Sequence, residues 1–392
     1  MTTMAEVFNR FADDYSKNRI LSFEQRKLIC DICDCRTHVL GGHVTACSSC
    51  GHIKVHYNSC GNRHCPKCQG VNKEKWILER AYDLLNVKYF HLVFTLPSEL
   101  RTICYQNKRL VYNLLFSCAW QTLEDFSKDP KQKLLARMGM MAVLHTWTQK
   151  LLYHPHVHCI VPAGGLDANG NWKTTRSRGD FLFHLTALAQ TFRGKFMEKL
   201  LFLHKQKKLT LEGKISHLKQ YRHFWKLKKK LYQTNWVVHT EKPFKNPDSV
   251  IEYLARYTHK IAISNYRIKA IDQNSVTFTY LDRTNKNSKE TMVLPADKFI
   301  SRFLSHVLPR GFCKTRHYGF LSTRVKQQCL SQIRKSLNMK DKGKKPSLTV
   351  KDVLRITQGI DPDLCPQCKE GTMVCIQELP RLRGSPNFRK CS

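Results

Sequence analysis

The stretch YHPHVHCIVPAGG, residues 153–165, decides how the chain is read. Two histidines flank one valine, and the apolar run Cys159-Ile160-Val161 follows before Pro162 and two glycines stop it. That pattern predicts a β-strand ending in a turn. Side chains on a strand alternate between faces, so His156 and His158 share one face while Val157 enters the core. Two imidazoles side by side on a rigid strand can hold one divalent metal and leave coordination positions open. His154 has the same parity, but Pro155 interrupts the alternation beside it. Just upstream, MGMMAVLHTW (138–147) reads as a second apolar strand, which makes 138–162 an antiparallel pair at the centre of a sheet. His145 and Gln149 lie on or just after that neighbour, within approach of the metal.

Towards the N-terminus, residues 1 to about 28 have apolar positions (Val7, Phe8, Phe11, Tyr15) at helical spacing. A cysteine-rich module follows, with eight of the chain's 17 cysteines between Cys30 and Cys68. Paired CxxC knuckles are a strong zinc signal, because each turn places two thiolates on one tetrahedral ion. The spacing groups Cys47, Cys50, Cys65 and Cys68 as one site and Cys35, His43, Cys60 and His64 as a second. Cys30 and Cys33 are also CxxC-spaced and compete for that second site. Four protein ligands leave no open position, so this zinc is structural. Arg63 and Lys67 within the knuckle segment are candidate phosphate contacts.

The composition bounds the partners. The chain has 392 residues, 42% of them hydrophobic, and a formal charge of +36. That length suggests more than one domain, and a charge that large calls for a polyanion, most commonly nucleic acid. No apolar run approaches the roughly 20 residues of a membrane-spanning helix, and the N-terminus lacks a signal-type apolar core. The sequence therefore reads as a cytoplasmic protein without membrane contact, its cysteines serving as metal ligands rather than disulfides.

Beyond the histidine strand, Phe181–Tyr232 is predicted to be helical and very basic, with Phe224, Trp225 and Tyr232 interleaved. Lysines with aromatics suit single-stranded nucleic acid, where bases stack while phosphates are held. NPDSVIEYLARYTHK then predicts a helix, with Asp248 as its N-cap. Tyr253 and Tyr257, four residues apart, present both hydroxyls on one face, with Lys260 nearby. A strand series (AISNYRIKAID, SVTFTYLD, ETMVLP) and a helix near Phe299–Val307 come next. GFCKTRHYGFLSTR is basic and aromatic, with Lys314, Arg316 and Arg324 as candidate DNA contacts. After the linker KDKGKKP, Cys365-x2-Cys368 offers half of a third zinc site.

Metal-binding histidines, paired tyrosines, a zinc module and heavy basic charge share one economical reading. A tyrosine attacks a metal-polarised DNA phosphate, leaving a 5′-phosphotyrosine and a free 3′-hydroxyl. A second tyrosine one turn away could take a second strand.

HPHVHCIVPAGG, YLARYTHKIAISN, the block LGGHVTACSSCGH…YNSCGNRHCPKCQ and RHYGFL together resemble the HUH rolling-circle transposases of the insertion-sequence ninety-one type. The resemblance runs from about Cys35 to about Arg324. It implies an α+β chain: a zinc-binding N-terminal module, then an HUH nuclease domain with a five-stranded central antiparallel sheet flanked by helices. The corresponding boundaries are 1–85, 86–338 with a basic helical insertion at about 180–232, and a linker and cysteine-containing tail at 339–392. The implied activity is nicking and joining of single-stranded DNA at mobile-element ends, with Mg²⁺ or Mn²⁺ beside structural Zn²⁺. His156 and His158 match the metal histidines, and Tyr253 and Tyr257 match the nucleophile pair; no motif match supplies a third metal ligand. The implied setting is the bacterial cytosol and nucleoid. A replication initiator with the same chemistry, a non-catalytic zinc-finger DNA-binding protein and a decayed transposase copy are the competing readings.

Overall fold

The computed structural model describes residues 2–17, 19–244, 249–250, 253, 261–282, 285, 287–340 and 347–382. The chain begins with α1 (Met4–Lys17) and α2 (Phe23–Asp34) rather than one helix. Ser22 forms a capping box with Gln25, satisfying the first amides of α2 and restarting the helix there. The cysteine-rich segment contains strands β1 (Gly42–Cys47) and β2 (Ile53–Tyr57) and leads into α3 (Gln69–Ala81). Next come β3 (Tyr89–Thr95), α4 (Arg101–Gln106), α5 (Lys108–Lys128), β4 (Arg137–Trp147) and β5 (Tyr153–Pro162). The short strands β6 (Gly164–Leu166) and β7 (Trp172–Thr174) precede α6 (Leu185–Lys205), α7 (Tyr221–Gln233) and β8 (Val238–Thr240). A meander of β9 (Ile268–Ile271), β10 (Ser275–Asp282) and β11 (Ser288–Pro295) runs into α8 (Ala296–Ser305). The described chain closes with β12 (Thr315–Gly319), α9 (Lys326–Ser336), α10 (Val350–Gln358) and β13 (Met373–Leu379).

The central sheet is antiparallel in all its pairings, with order β7-β6-β4-β5-β3-β8 and β12 also paired to β4. It has seven strands where five were expected; β6 and β7 add a pair of three residues each. Alternation along β3, β4 and β5 separates its two faces. Phe90, Leu92, Phe94, Met140, Ala142, Leu144, Val157, Cys159 and Val161 form one apolar core with residues of α5, α6 and α7. Phe94 packs edge-on against Phe192 of α6, ring centroids 5.0 Å apart. The alternate residues, among them His91, His145, His156 and His158, emerge on the opposite face.

A second core joins α1 and α2 to the β9–β11 meander and α8, as in the 5.8 Å contact between Phe8 and Phe303. The N-terminal helices thus pack on chain that lies more than two hundred residues further along the sequence. None of the described helices is long and apolar enough to cross a membrane.

Within RHYGFL, Gly319 ends β12 against β4 with φ of +62°. A Cβ there would lie 1.8 Å from the Met138 carbonyl oxygen and 2.7 Å from the Trp120 ring. The position combines left-handed backbone with direct strand contact, so only glycine fits. Gly319→Ala is expected to destabilise the protein by roughly 3 kcal/mol or more, read as a lowered urea midpoint. A midpoint equal to the parent's would contradict this steric account.

Candidate metal centre and nucleophile

The β4–β5 register sets His145 directly opposite His156, with His158 two residues further along β5 on the same face. One ring nitrogen from each of the three histidines lies within 4.8 Å of the others. His156 Nδ1 donates to the His154 carbonyl at 2.7 Å, which leaves its Nε2 as the lone-pair nitrogen. That Nε2 is 3.1 Å from His158 Nε2. His145 is buried and stacked on Trp147, ring centroids 4.9 Å apart, so its ring plane is fixed. Three imidazoles converging from two strands form a donor set suited to a divalent ion that must also hold a phosphate. Gln149, the other sequence candidate, accepts a hydrogen bond from Arg267 at its backbone carbonyl, at 2.6 Å.

Behind His158 stands His91 of β3. Its Nε2 is 2.9 Å from His158 Nδ1. Burial, reinforced by the nearby His239 and His156, pushes its pKa down to about 3, so the ring is neutral. The hydroxyl of Tyr253 lies against the same ring, 2.9 Å from His91 Nδ1 and 2.5 Å from the Nε2 that also faces His158. Tyr253 is buried among Phe244, Tyr89, Met141 and Ile160 on the histidine face of the sheet. The Tyr253 phenol and the His158 ring therefore both meet the ring of His91. The signal was legible in parity: His91 is the polar alternate between Phe90, Leu92 and Phe94. Tyr257 and Lys260 lie outside the described residues.

The cysteines assemble differently from the spacing-based grouping. Cys35, Cys60, Cys65 and Cys68 form one cluster, and Cys47, Cys50, Cys365 and Cys368 form another. In the first, Cys68 Sγ is 3.3 Å from Cys35 Sγ and 3.5 Å from Cys60 Sγ. The crowding is visible in their acidities. A hydrogen bond from Cys60 holds Cys35 down to about 2, while Cys35 pushes Cys65 up to about 12. Sulfurs this close cannot all ionise unless a cation joins them.

His43 and His64 belong to neither cluster. His43 stacks on its cross-strand partner His56, ring centroids 5.0 Å apart. His64 Nε2 faces the Leu308 amide at 3.4 Å, and burial pushes its pKa to about 3. Cys30 and Cys33 are likewise outside both clusters. The tail pair Cys365 and Cys368 makes no third site but completes the second cluster, a long-range pairing that local spacing cannot reveal.

The remaining basic candidates are spread along this architecture. Arg63 donates to the Phe312 carbonyl, and Lys67 Nζ to the Cys35 carbonyl at 3.5 Å. Arg316 donates to Asn113 Oδ1 at 2.6 Å and lies over Phe116 and Phe312, which makes it a packing residue of the α5–β12 contact. Arg324 is exposed.

The chain matches two family models, one described as "Putative transposase" over residues 139–329 and one described as "Transposase zinc-binding domain" over residues 7–96. The first spans the histidine strand and β12, and the second the first sulfur cluster. Among relatives, the chain is 39% identical to "Putative transposase y4qJ" of Sinorhizobium fredii, covering 98% of this chain and 97% of that protein. It is 31% identical to the transposase for insertion sequence element IS801 of Pseudomonas savastanoi pv. phaseolicola, covering 85% of this chain and 79% of that one. No solved structure matches. The chain belongs to the IS91-type transposases with an N-terminal zinc-binding domain.

Proposed function

We propose that this transposase nicks and rejoins single-stranded DNA at element ends through a 5′-phosphotyrosine, in rolling-circle-type transposition. The observation carrying this reading is the contact of both Tyr253 and His158 with the ring of His91, which sets a phenol beside a cluster of three metal-type histidines. His145, His156 and His158 would hold Mg²⁺ or Mn²⁺, which when bound supplies positive charge to the phosphate oxygens.

The protein's own residues do the rest. Tyr253 Oη bonds to phosphorus as the bond to the 3′-oxygen breaks; the phenolic proton is lost and the 3′-oxygen gains one. His91 holds the phenol oxygen beside the metal histidines and, by its contact with His158 Nδ1, fixes which nitrogen of His158 faces the ion. Retaining the phosphodiester energy in the tyrosyl ester allows rejoining without a nucleotide cofactor. Tyr257 is the candidate acceptor for a second strand. The charge of +36 supplies the non-specific attraction to phosphate.

The test is incubation with labelled single-stranded oligonucleotides from the element's own ends, with Mn²⁺ or a chelator, on a denaturing gel. A metal-dependent covalent adduct is expected, and Tyr253→Phe should reduce it at least about 100-fold if Tyr253 makes the first attack. An adduct undiminished in the double variant Tyr253→Phe, Tyr257→Phe would remove tyrosine chemistry altogether. His145→Ala, like His156→Ala, is expected to lower cleavage by about 100-fold or more while leaving DNA retention in gel shift intact. Undiminished cleavage by His145→Ala would leave a two-histidine site.

A further inference from the structure

The second sulfur cluster draws its ligands from the two ends of the described chain. Cys47 and Cys50 sit at the end of β1 and the turn after it, and Cys365 and Cys368 in a knuckle just before β13. Cys47 Sγ is 3.6 Å from Cys368 Sγ, and Cys50 Sγ is 3.7 Å from Cys365 Sγ. A tetrahedral ion with Zn–S bonds of about 2.3 Å holds its sulfurs about 3.8 Å apart, so the spacing matches. The backbone is arranged for thiolates. The amides of Ser49 and Cys50 point at Cys47 Sγ, and the Gly371 amide points at Cys368 Sγ. Gly371 approaches so closely that a Cβ there would lie 2.4 Å from Cys47 Sγ. The family model for the zinc-binding domain ends at residue 96 and contains only half of this cluster.

What else holds the C-terminal segment is slight. It pairs β13 with β1 along Gly42–Cys47. The Leu382 amide donates to the Val39 carbonyl at 3.2 Å, and the Ser48 amide to the Thr372 carbonyl at 3.0 Å. Helix α10 lies on α3, itself without a buried residue. Of residues 347–382, only Val353, Cys365 and Gly371 are buried. Ile356 and Ile376 remain 59% and 57% exposed. A segment with so small an apolar core cannot offset its own ordering entropy through packing. Small units of this kind fold by binding a metal, whose free energy then becomes folding free energy.

We propose that Cys47, Cys50, Cys365 and Cys368 bind one zinc ion as a clasp that fastens the C-terminal segment to the N-terminal module and seats α10 on α3. The ion is a condition for that segment's fold, whereas the central sheet and its helices have an apolar core of their own.

Two measurements test this on the full chain. In the first, Co²⁺ replaces zinc and the thiolate-to-cobalt charge-transfer band is read; a histidine site contributes nothing to it. Cys365→Ser with Cys368→Ser should lower the band to about half the parent's, one four-sulfur site remaining. In the second, a specific protease site is inserted between Gly343 and Lys344, the zinc-loaded protein is cut, and gel filtration follows. The C-terminal fragment should co-elute with the remainder, and separate when the two serines are present. An unchanged cobalt band would show that these four sulfurs do not share an ion. A fragment that stays bound despite the serine substitutions would show that packing alone holds the segment, and would overturn the clasp.

Discussion

The side-chain alternation of three adjacent strands is the constraint on which the rest depends. β3, β4 and β5 each place large apolar residues on one face, where α5, α6 and α7 cover them. That burial fixes strand register, because a one-residue slip would turn the apolar set towards the wrong side. With register fixed, the opposite face has no freedom either: His145 must oppose His156, and His91 must flank His158. The metal-type geometry is thus a by-product of a core that never touches it. Burial also keeps His91, the ring in contact with His158, neutral.

How much of this was legible depended on range. The strand containing His156 and His158, its apolar partner and the meander before α8 are local periodicities, and they appear as read. Ser22, by contrast, breaks the N-terminal helix through a side-chain cap that hydrophobic spacing does not register. His91 is the polar member of an alternating run, but Phe90, Leu92 and Phe94 around it give the segment the look of a wholly apolar strand. The cysteines show the limit most clearly. CxxC spacing identifies a knuckle from its local turn, yet which knuckles meet is decided by the pairing of β1 with β13 across more than 300 residues. His43 and His64 were grouped with the sulfurs because they lie close in sequence, and each has a partner elsewhere.

The basic residues divide along similar lines. A net charge of +36 states a preference for polyanions without naming the surface that meets them. Arg316 illustrates the difference: its guanidinium is engaged by Asn113 and two aromatic rings, so its role in the fold can be stated from contacts alone. Exposed Tyr221, Trp225 and Tyr232 on α7 lie on the helix-covered side of the sheet, away from the histidines.

Cys365 and Cys368 also bear on what a damaged gene would encode. A reading frame cut short before them keeps His91, His145, His156, His158 and Tyr253, yet leaves Cys47 and Cys50 as half a ligand set. Two thiols poised for a missing partner are open to oxidation or to stray metals. Loss of the 28 codons from 365 to 392 would therefore be felt at Cys47 and Cys50, some 300 residues earlier in the sequence.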